Sequence, residues 1–277
     1  LVWKNNFTME AIKFLLKKII NISLFKMFII YLLRNKLISK RFKNLIELDG
    51  MHYIYKSKIK VYNDKKDAVT RDLCIFGIPK KEKEIFDKFI FEVRNAKSFL
   101  DIGAGTGLYT LFAHDQNSEI STLSIEPNPK VFKTLNRNLE VYSSSGQIAR
   151  TLNKVVTSKK DSIEFFIPTG DDFSYGTSNK YLLTKKNISF KSKNLETTDL
   201  SNSKNDDFEI IKIDVEGSEL DVLQTINFNL QNCRIVFIEI MQENKSEVYD
   251  LLKNFSLQPI IESKEDIGNY VFKKTNF

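Results

Sequence analysis

A glycine-rich turn is the strongest candidate for a ligand-binding element in this sequence. An apolar run ends at Asp101 and a helix-like run follows Gly107, with Gly103, Ala104 and Gly105 between them. Such a turn places bare backbone where a ligand must come close. The third glycine follows the second by two residues, whereas the dinucleotide fingerprint places it three later to seat a pyrophosphate. The turn therefore predicts a nucleotide-type site and disfavours an NAD-dependent oxidoreductase.

A second acid stands where it could hold a ribose. Glu126 ends the next strand-like run, 25 residues after Asp101, and a carboxylate there can accept hydrogen bonds from both ribose hydroxyls. Pro127 and Asn128 set the turn into the following helix, so we include both in the candidate cofactor site. The glycine turn alone is weak evidence, but the turn followed by this acid excludes most purely structural explanations.

Further carboxylates follow a later apolar strand-like run. Asp214 and Glu216 come directly after it, and in an open α/β sheet the carboxyl ends of the strands face one crevice. We therefore expect both acids near the glycine turn. The structural alternative is a helix N-terminus with Ser218 as its cap, which accounts for Glu219 but leaves Asp214 unexplained.

Elements that could position these residues alternate along the chain. From residue 98 onwards, strand-like and helix-like runs follow each other, which predicts an α/β fold: a mostly parallel central sheet with helices on both faces. A helix-like stretch at 81–93 precedes this alternation.

The predicted organisation has two parts. Residues 1–48 form a basic amphipathic helical segment and 49–277 a Rossmann-like domain. Within that domain, 98–156 is the cofactor half, 206–277 is the substrate-side half, and 169–205 is an irregular insertion. Long irregular segments in compact domains are more often functional lids or substrate loops than filler, although a plain surface loop stays open.

The motifs together resemble the FkbM-type methyltransferase family. The segments DIGAGTGLYT, SIEPNPKVFKTLNRN, TTDL and KIDVEGSE carry the resemblance, which runs from about Asp67 to Ile240. It implies a class I (Rossmann-like) methyltransferase fold and methyl transfer from S-adenosylmethionine, usually to a hydroxyl of a sugar or other metabolite. An acid beside that ligand is favourable because the ligand is cationic and carries no phosphate. By position, the resemblance assigns Asp101, Gly103, Gly105, Gly107 and Glu126 to the cofactor, and Asp214 and Glu216 to the reaction centre.

Two positions depart from the family pattern. The family commonly has Asn where Gly105 stands, and His where Met241 stands. Because Met241 cannot move a proton, a histidine base is absent there. Asp214 is then the first candidate for positioning or deprotonating the acceptor, with Glu216 and Glu239 behind it. Stabilisation of the sulfonium is the alternative role for each, so Asp214 also belongs to the candidate cofactor site.

Other functions stay open as alternatives. A nucleic-acid amino-methyltransferase would need a polar-Pro-Pro-aromatic turn after the fourth strand, and DVEG there contains no proline. A membrane-docked binding protein with a vestigial pocket is disfavoured because every acid and glycine of the turn is present. A glycan or other small-molecule acceptor is the expected partner, and nucleic acid is not.

Charge and composition limit the classes of partner that the protein can have. The net charge is +7, yet residues 1–60 carry 13 basic and 3 acidic residues, so the remainder has a net charge of −3. A basic nucleic-acid-binding body is therefore poorly supported. Two histidines and two distant cysteines, Cys74 and Cys233, offer too few ligands for a zinc or iron–sulfur site. We expect no metal, and buried thiols in a reducing cytoplasm.

The N-terminal segment suggests contact with a membrane surface. Residues 9–22 have helical amphipathic spacing, 27–33 are apolar throughout, and lysines and arginines follow. This pattern is typical of an interfacial helix near anionic lipid, although a helix packed on its own domain or on a second copy fits equally. The apolar stretch is too interrupted for a spanning helix or a secretory signal, so we expect a cytoplasmic protein that can reach the inner membrane surface.

Overall fold

The computed structural model describes residues 14–65, 67–140, 149–158, 161–169, 176–178, 184, 189–200, 207–263, 265 and 267–275. The chain divides into two compact units, Leu1–Ile78 and Pro79–Phe277. We refer to them as unit 1 and unit 2 and describe each by itself. The boundary predicted between residues 48 and 49 falls inside unit 1.

Unit 1 combines helices with a small antiparallel sheet. Residues 14–20 are helical, and the further elements are α1 (Ser23–Arg34), a 3-10 helix (Lys40–Leu45), β1 (Gly50–Tyr53), β2 (Lys60–Asn63) and α2 (Ala68–Phe76). The side chain of Asn21 donates to the Leu45 carbonyl at 2.9 Å and accepts from the Glu47 amide at 2.8 Å, which fixes the turn before α1. Of the helix predicted over 9–22, residues 14–20 are helical and residues 21–22 lie in the turn before α1. Residues 1–13 lie outside the described residues, so the prediction is not tested there.

A membrane-spanning helix is absent from the described ranges. None of the helices found there is long and apolar enough to cross a bilayer.

Unit 2 alternates strands and helices as the sequence predicts. The predicted helix at 81–93 is observed at Lys83–Val93. The elements of unit 2 are α3 (Lys83–Val93), β3 (Ser98–Ile102), α4 (Leu108–Gln116), β4 (Ser121–Ile125), α5 (Pro129–Glu140), β5 (Ala149–Leu152), β6 (Val155–Val156), β7 (Ser162–Pro168), β8 (Phe190–Thr198), β9 (Ile210–Ile213), α6 (Glu219–Thr225), α7 (Asn227–Asn232), β10 (Ile235–Met241), a 3-10 helix (Gln242–Asn244), α8 (Lys245–Lys253), β11 (Leu257–Ile261) and β12 (Ile267–Lys274).

The central sheet has seven strands in the order β11-β12-β10-β9-β3-β4-β5. The pairs β10/β9, β9/β3, β3/β4 and β4/β5 are parallel, while β12 pairs antiparallel with β10 and β11. The prediction of a mostly parallel α/β sheet is confirmed. This is the strand order of a class I methyltransferase fold.

Successive strand residues fill two separate cores, one on each face of the sheet. In β3, Phe99 packs with α3 and α4, whereas Leu100 and Ile102 pack with α6, α7 and α8. In β9, Ile210 and Ile211 divide in the same way, because side chains alternate between faces along a strand. Burial on both faces explains why the parallel strands are apolar throughout.

Two parts of unit 2 differ from the sequence prediction. The insertion, predicted to be irregular, contains β8, which pairs with β7 and β6 in a separate three-stranded sheet. Most β8 side chains are exposed, and the sequence of β8 is correspondingly polar. It therefore lacks the apolar alternation by which a strand is recognised in a sequence. The C-terminal hairpin β11–β12 was not predicted either, and Pro259 inside β11 lies at an edge strand, where proline is tolerated.

Candidate functional site

The glycine turn and Asp214 meet where the strand order of the sheet reverses. From β3 the chain proceeds to β4 on one side, while β9 and then β10 lie on the other, and ligands bind beyond the carboxyl ends of strands at such a point. The Asp214 amide donates to the Ile102 carbonyl at 2.9 Å. A Cβ atom on Gly103 would lie 1.8 Å from the Asp214 carbonyl oxygen. Only glycine therefore allows the two strand ends to come this close.

The rest of the turn has left-handed backbone at its other glycines. The φ angles of Gly105 and Gly107 are +57° and +91°. Among the described residues, no atom beyond the chain neighbours lies within 4 Å of the position a Cβ would take on Gly105, whereas a Cβ on Gly107 would meet Leu135 at 2.7 Å. Ala104 is buried, and its amide donates to the Ile125 carbonyl at 3.0 Å. The turn thus leaves room at Gly105 and is packed at Gly107.

Glu126 lies directly beside the turn. Its carboxylate accepts hydrogen bonds from the amides of Gly105 at 2.9 Å and Asn128 at 2.7 Å, and the residue is 7% exposed. Burial raises the pKa of Glu126 to about 7, although the two amide donors oppose this rise. Asn128 also accepts from the Lys130 amide, and Pro127 is held through its carbonyl by Asn153. The structure therefore brings Glu126 to the turn, while Pro127 and Asn128 shape the loop around it.

Asp101 lies on β3 itself and is 1% exposed. Its Oδ2 accepts from the Thr110 hydroxyl at 2.8 Å, but its Oδ1 is buried and has no hydrogen-bond partner among the described residues. Burial raises the pKa of Asp101, and the ammonium of Lys212 counteracts the rise. A buried carboxylate oxygen without a donor is costly, so this atom is available to a ligand's hydrogen-bond donor.

The three predicted catalytic acids form one cluster, which we call the carboxylate cluster: Asp214, Glu216 and Glu239. One oxygen from each lies within 4.8 Å of the others. Burial, followed by the charges of Asp214 and Glu216, raises the pKa of Glu239, which hydrogen-bonds to Asp214. Glu239 therefore retains its proton more readily than an ordinary glutamate. Oxygen ligands of this type also suit a divalent cation, and the expectation that no metal takes part stays a prediction.

Lys212 is a site residue to which sequence reasoning gave no role. Its ammonium lies 3.0 Å from Asp214 Oδ2 and 4.7 Å from the centre of the Tyr109 ring, and the residue is 6% exposed. Burial opposes its charge, but the carboxylates of Asp214 and Asp101 outweigh burial and raise the pKa of Lys212. Glu82 also lies within electrostatic reach of Asp214 and Lys212, and burial raises its pKa. A lysine inside a strand that is buried throughout was the signal that could have identified Lys212.

The loop after Asp214 is held by its own side chains and by the insertion. Ser218 takes the N-cap position of α6, as expected, but its side chain forms no capping bond and instead hydrogen-bonds to Ser178 at 2.6 Å. The buried Glu219 accepts from the Gly217 amide at 2.7 Å. Thr177 donates to the Glu216 carbonyl at 2.8 Å. The described part of the insertion therefore contacts the loop that carries Glu216.

A cleft opens beside Glu239, which is also a member of the carboxylate cluster. Met241, where a histidine would be expected, is buried at the end of β10 and contributes no proton-transfer group. The cleft lining is mostly acidic and polar, and comprises Lys81, Glu82, Glu84, Ile85, Glu239, Ile261, Glu262, Ser263, Glu265, Ile267 and Asn269.

Comparison with known proteins provides a family match. The model of the methyltransferase FkbM domain matches residues 101–259. Among solved structures, the chain is similar to methyltransferase FkbM from Methylobacillus flagellatus KT, with 13% identity, a TM-score of 0.44, and alignment over 64% of this chain and 43% of that one. The chain thus spans less than half of that protein's length.

Two other solved structures have comparable similarity. One is the ribosomal protein L11 methylase from Lactobacillus delbrueckii subsp. bulgaricus, with 12% identity, a TM-score of 0.44, and 81% and 99% of the two chains aligned. The other is precorrin-6y C5,15-methyltransferase from Geobacter metallireducens GS-15, with 9% identity, a TM-score of 0.41, and 69% and 88% aligned. No curated protein matches the chain.

Proposed function

The chain belongs to the family of methyltransferase FkbM domains, and we propose that it transfers the methyl group to a hydroxyl oxygen of a sugar, a glycolipid or a related metabolite. The resemblance seen in the sequence is confirmed by the family match, and S-adenosylmethionine is the cofactor of this methyltransferase fold. The class of acceptor is the part that we propose.

The residues present fit that cofactor. The open space at Gly105 leaves room for a ligand against the backbone, and the unpartnered Oδ1 of Asp101 offers a buried acceptor. Glu126 and Asp214 add acids around the same turn, which suits a ligand that is cationic and lacks phosphate. Asp101, Gly103, Ala104, Gly105, Gly107 and Glu126 would hold the cofactor.

The carboxylate cluster beside the glycine turn is the observation that supports O-methyl transfer. S-adenosylmethionine supplies an electrophilic methyl group, and a hydroxyl that accepts it must lose its proton as the new C–O bond forms. Asp214 is the acid best placed to take that proton, because it follows β9 directly beside Gly103 and its side chain is 38% exposed, with one oxygen oriented by the Lys212 ammonium at 3.0 Å. Glu239 holds its own proton more readily, so it is less available to accept another.

The cleft beside Glu239 supports an acceptor without phosphate. Its lining includes five glutamates and a single lysine, so it offers the phosphates of a polyanion almost no cationic partner. Carboxylates and Asn269 can instead accept hydrogen bonds from the many hydroxyls of a sugar. Nucleic acid, the alternative acceptor, would bring phosphates to this cleft.

We also propose a cytoplasmic location. Cys74 and Cys233 are free and buried, and burial raises the pKa of both thiols to about 12. Such thiols are compatible with a reducing compartment.

An acceptor survey tests the proposed reaction. The protein is incubated with S-adenosylmethionine carrying a 13C-labelled methyl group and with neutral polysaccharide, lipid-linked glycans, nucleotide sugars or RNA, and the products are examined by NMR. We expect a labelled O-methyl signal on a hydroxyl of an uncharged sugar, either in the neutral polysaccharide or in the sugar part of a lipid-linked glycan. Label on a nucleobase, or on nitrogen or carbon only, would contradict the proposal.

The pH dependence of cofactor binding tests Glu126. Because its pKa is raised to about 7, its ionised fraction grows as the pH rises through that value, and a carboxylate accepts hydrogen bonds more strongly than a carboxylic acid. We expect the affinity for S-adenosylhomocysteine, measured by calorimetry, to rise by up to about tenfold per pH unit below pH 7 and to level off above about pH 8.

Glu126→Gln is the matched variant for this measurement. Its amide should remove the pH dependence and weaken binding by roughly tenfold to a hundredfold at pH 8. Gln has one acceptor oxygen for the two amide donors of Gly105 and Asn128, so we expect a stability loss of about 1 kcal/mol by thermal melting. A parent protein whose affinity is flat between about pH 6 and 8 would rule out Glu126 as the titrating ribose acid.

A further inference from the structure

Helix α1 carries apolar side chains on its exposed face. Leu24, Met27, Phe28 and Tyr31 are all exposed, with Leu24 at 82% and Met27 at 67%. Their spacing places them on one side of the helix, and we call them the exposed stripe. On the opposite side, Ile29 and Leu33 are buried. Helix α1 is thus apolar on both faces, although only one face is packed.

The exposed apolar residues are concentrated rather than scattered. Leu15, Ile19 and Ile22, in and just after the helical residues 14–20, are exposed with the same type of spacing. In the described parts of the chain, only Phe91 and Ile260 among the exposed large hydrophobic residues lie outside unit 1. Single exposed apolar residues are ordinary, but a contiguous apolar face indicates an interaction site.

Some basic residues of this segment are used inside unit 1. Lys17 pairs with Glu47 at 2.6 Å, and Lys26 donates to the Glu47 carbonyl at 2.9 Å. Arg34 donates to the carbonyls of Ile75 and Cys74 at the end of α2. Lys43 pairs with Asp72. These four cations stabilise the unit itself and are not available to an external anion without loss of those contacts.

Other basic residues that flank the stripe along the sequence have no such carboxylate or carbonyl partner among the described residues, although Lys18 lies over the Phe14 ring at 4.6 Å and Lys40 over the Phe76 ring at 5.8 Å. Lys18 precedes α1, while Lys36, Lys40 and Arg41 follow it, and all four are exposed. None of the four forms an ion pair with a carboxylate in the part of the chain that the structure describes. We call them the basic set.

We propose that the exposed stripe and the basic set form a docking surface for the interface of an anionic lipid bilayer. An apolar helix face inserts among the acyl chains while adjacent lysines and arginines meet the phosphates of the headgroups. Helix α1 has 12 residues and so rises about 18 Å, less than the ~30 Å of a hydrocarbon core. It is suited to lie in the interface.

Charge favours lipid over a second copy of the chain as the occupant. A two-fold symmetric interface would place the same patch of both copies face to face. The basic set of one copy would then meet that of the other, which costs free energy. Anionic headgroups instead neutralise it. This inference goes beyond the proposed reaction and does not depend on the acceptor.

Vesicle co-sedimentation of the full chain tests the docking surface. We expect the protein to pellet with vesicles of phosphatidylcholine and phosphatidylglycerol, and to pellet much less with phosphatidylcholine alone or at high salt. Leu24→Ser/Met27→Ser should weaken partitioning by at least about tenfold. Lys36→Gln/Arg41→Gln should weaken it about fivefold for each residue that reaches the headgroups.

Matched controls separate docking from folding and from dimerisation. Val69→Ser removes an exposed apolar residue of α2, and Lys58→Gln removes an exposed lysine, both outside the patch, so we expect parental binding from each. Circular dichroism melting should show that every variant folds. Stripe variants that bind vesicles like the parent, or a parent that ignores lipid charge, would overturn the proposal. A second copy would be the occupant if light scattering showed that the parent is a dimer, that the stripe variants are monomers, and that the parent does not bind vesicles.

Discussion

Replacing Asp214 with Asn should lower kcat by at least about a hundredfold while weakening cofactor binding by less than about tenfold. The amide keeps the size of the side chain but can no longer accept the proton that the acceptor hydroxyl loses. An interaction needed mainly in the transition state affects turnover more than ground-state binding. Turnover is measured by methyl-group transfer at saturating substrates, and binding by calorimetry with S-adenosylhomocysteine.

The same substitution should also destabilise the protein. Lys212 is buried and loses its carboxylate partner at 3.0 Å, which in a fully buried pair would cost roughly 3–5 kcal/mol. Because the Asp214 side chain is 38% exposed, solvent screening reduces the expected loss to about 2 kcal/mol. Adding Lys212→Met removes the unpaired ammonium but also the cation that offsets the burial of Asp101, so it should recover only part of the stability in thermal melting. It should not recover turnover, because the proton acceptor is still missing.

Two outcomes would contradict this role for Asp214. Equal losses of turnover and cofactor affinity would make Asp214 a residue that pairs with the sulfonium. Recovery of turnover in the double variant would make the loss a consequence of the unpaired lysine. Glu247→Gln, which removes an exposed carboxylate of α8, serves as the control and should leave both quantities unchanged.

The cofactor half of the site was predictable from the sequence because local rules determine it. Gly103 and Gly105 mark a turn that needs unusual backbone, and such turns are recognisable from residue type alone. Glu126 ends a strand whose apolar pattern is clear, and parallel neighbours bring strand ends to one edge. The expectation that Asp214 would lie near this turn rested on the same rule.

The electrostatic partners in the site were less predictable because they depend on strand register. Lys212 lies in register with Asp101 on the neighbouring strand and with Phe237 on the other side, and neither pairing can be derived from spacing along the chain. Glu239 reaches the cluster from a third strand. A charged residue in a strand with no exposed face conflicts with its environment, and such conflicts are where functional residues are to be expected.

The availability of the N-terminal basic residues was also difficult to predict from the sequence. The sequence contains a cluster of basic residues, but it does not distinguish Lys17, which pairs with Glu47, from Lys36, which has no carboxylate partner within the described ranges. That distinction arises from packing in unit 1, where the side chain of Asn21 fixes the turn before α1 against residues 45 and 47. The net charge of the N-terminal segment therefore overstates the number of basic residues that are available to an external surface.

Two glycines of one turn should differ strongly in how much their substitution destabilises the protein. Gly103→Ala would place a methyl group 1.8 Å from the Asp214 carbonyl oxygen, at a φ of +77°. Overpacking and left-handed backbone together should cost roughly 3 kcal/mol or more, and cofactor binding should be lost because β3 and β9 are forced apart. Gly105→Asn adds a larger side chain, yet it meets open space at a φ of +57°, and Asn tolerates left-handed backbone.

We therefore expect Gly105→Asn to cost no more than about 1 kcal/mol and to retain cofactor binding, in keeping with the Asn that is common at this position of the family. Thermal melting and calorimetry with S-adenosylhomocysteine measure both effects. A stable Gly103→Ala protein that binds the cofactor would show that the turn and Asp214 do not need their close approach. A folded Gly105→Asn protein that fails to bind would show that the open space beside Gly105 is required in full by the ligand.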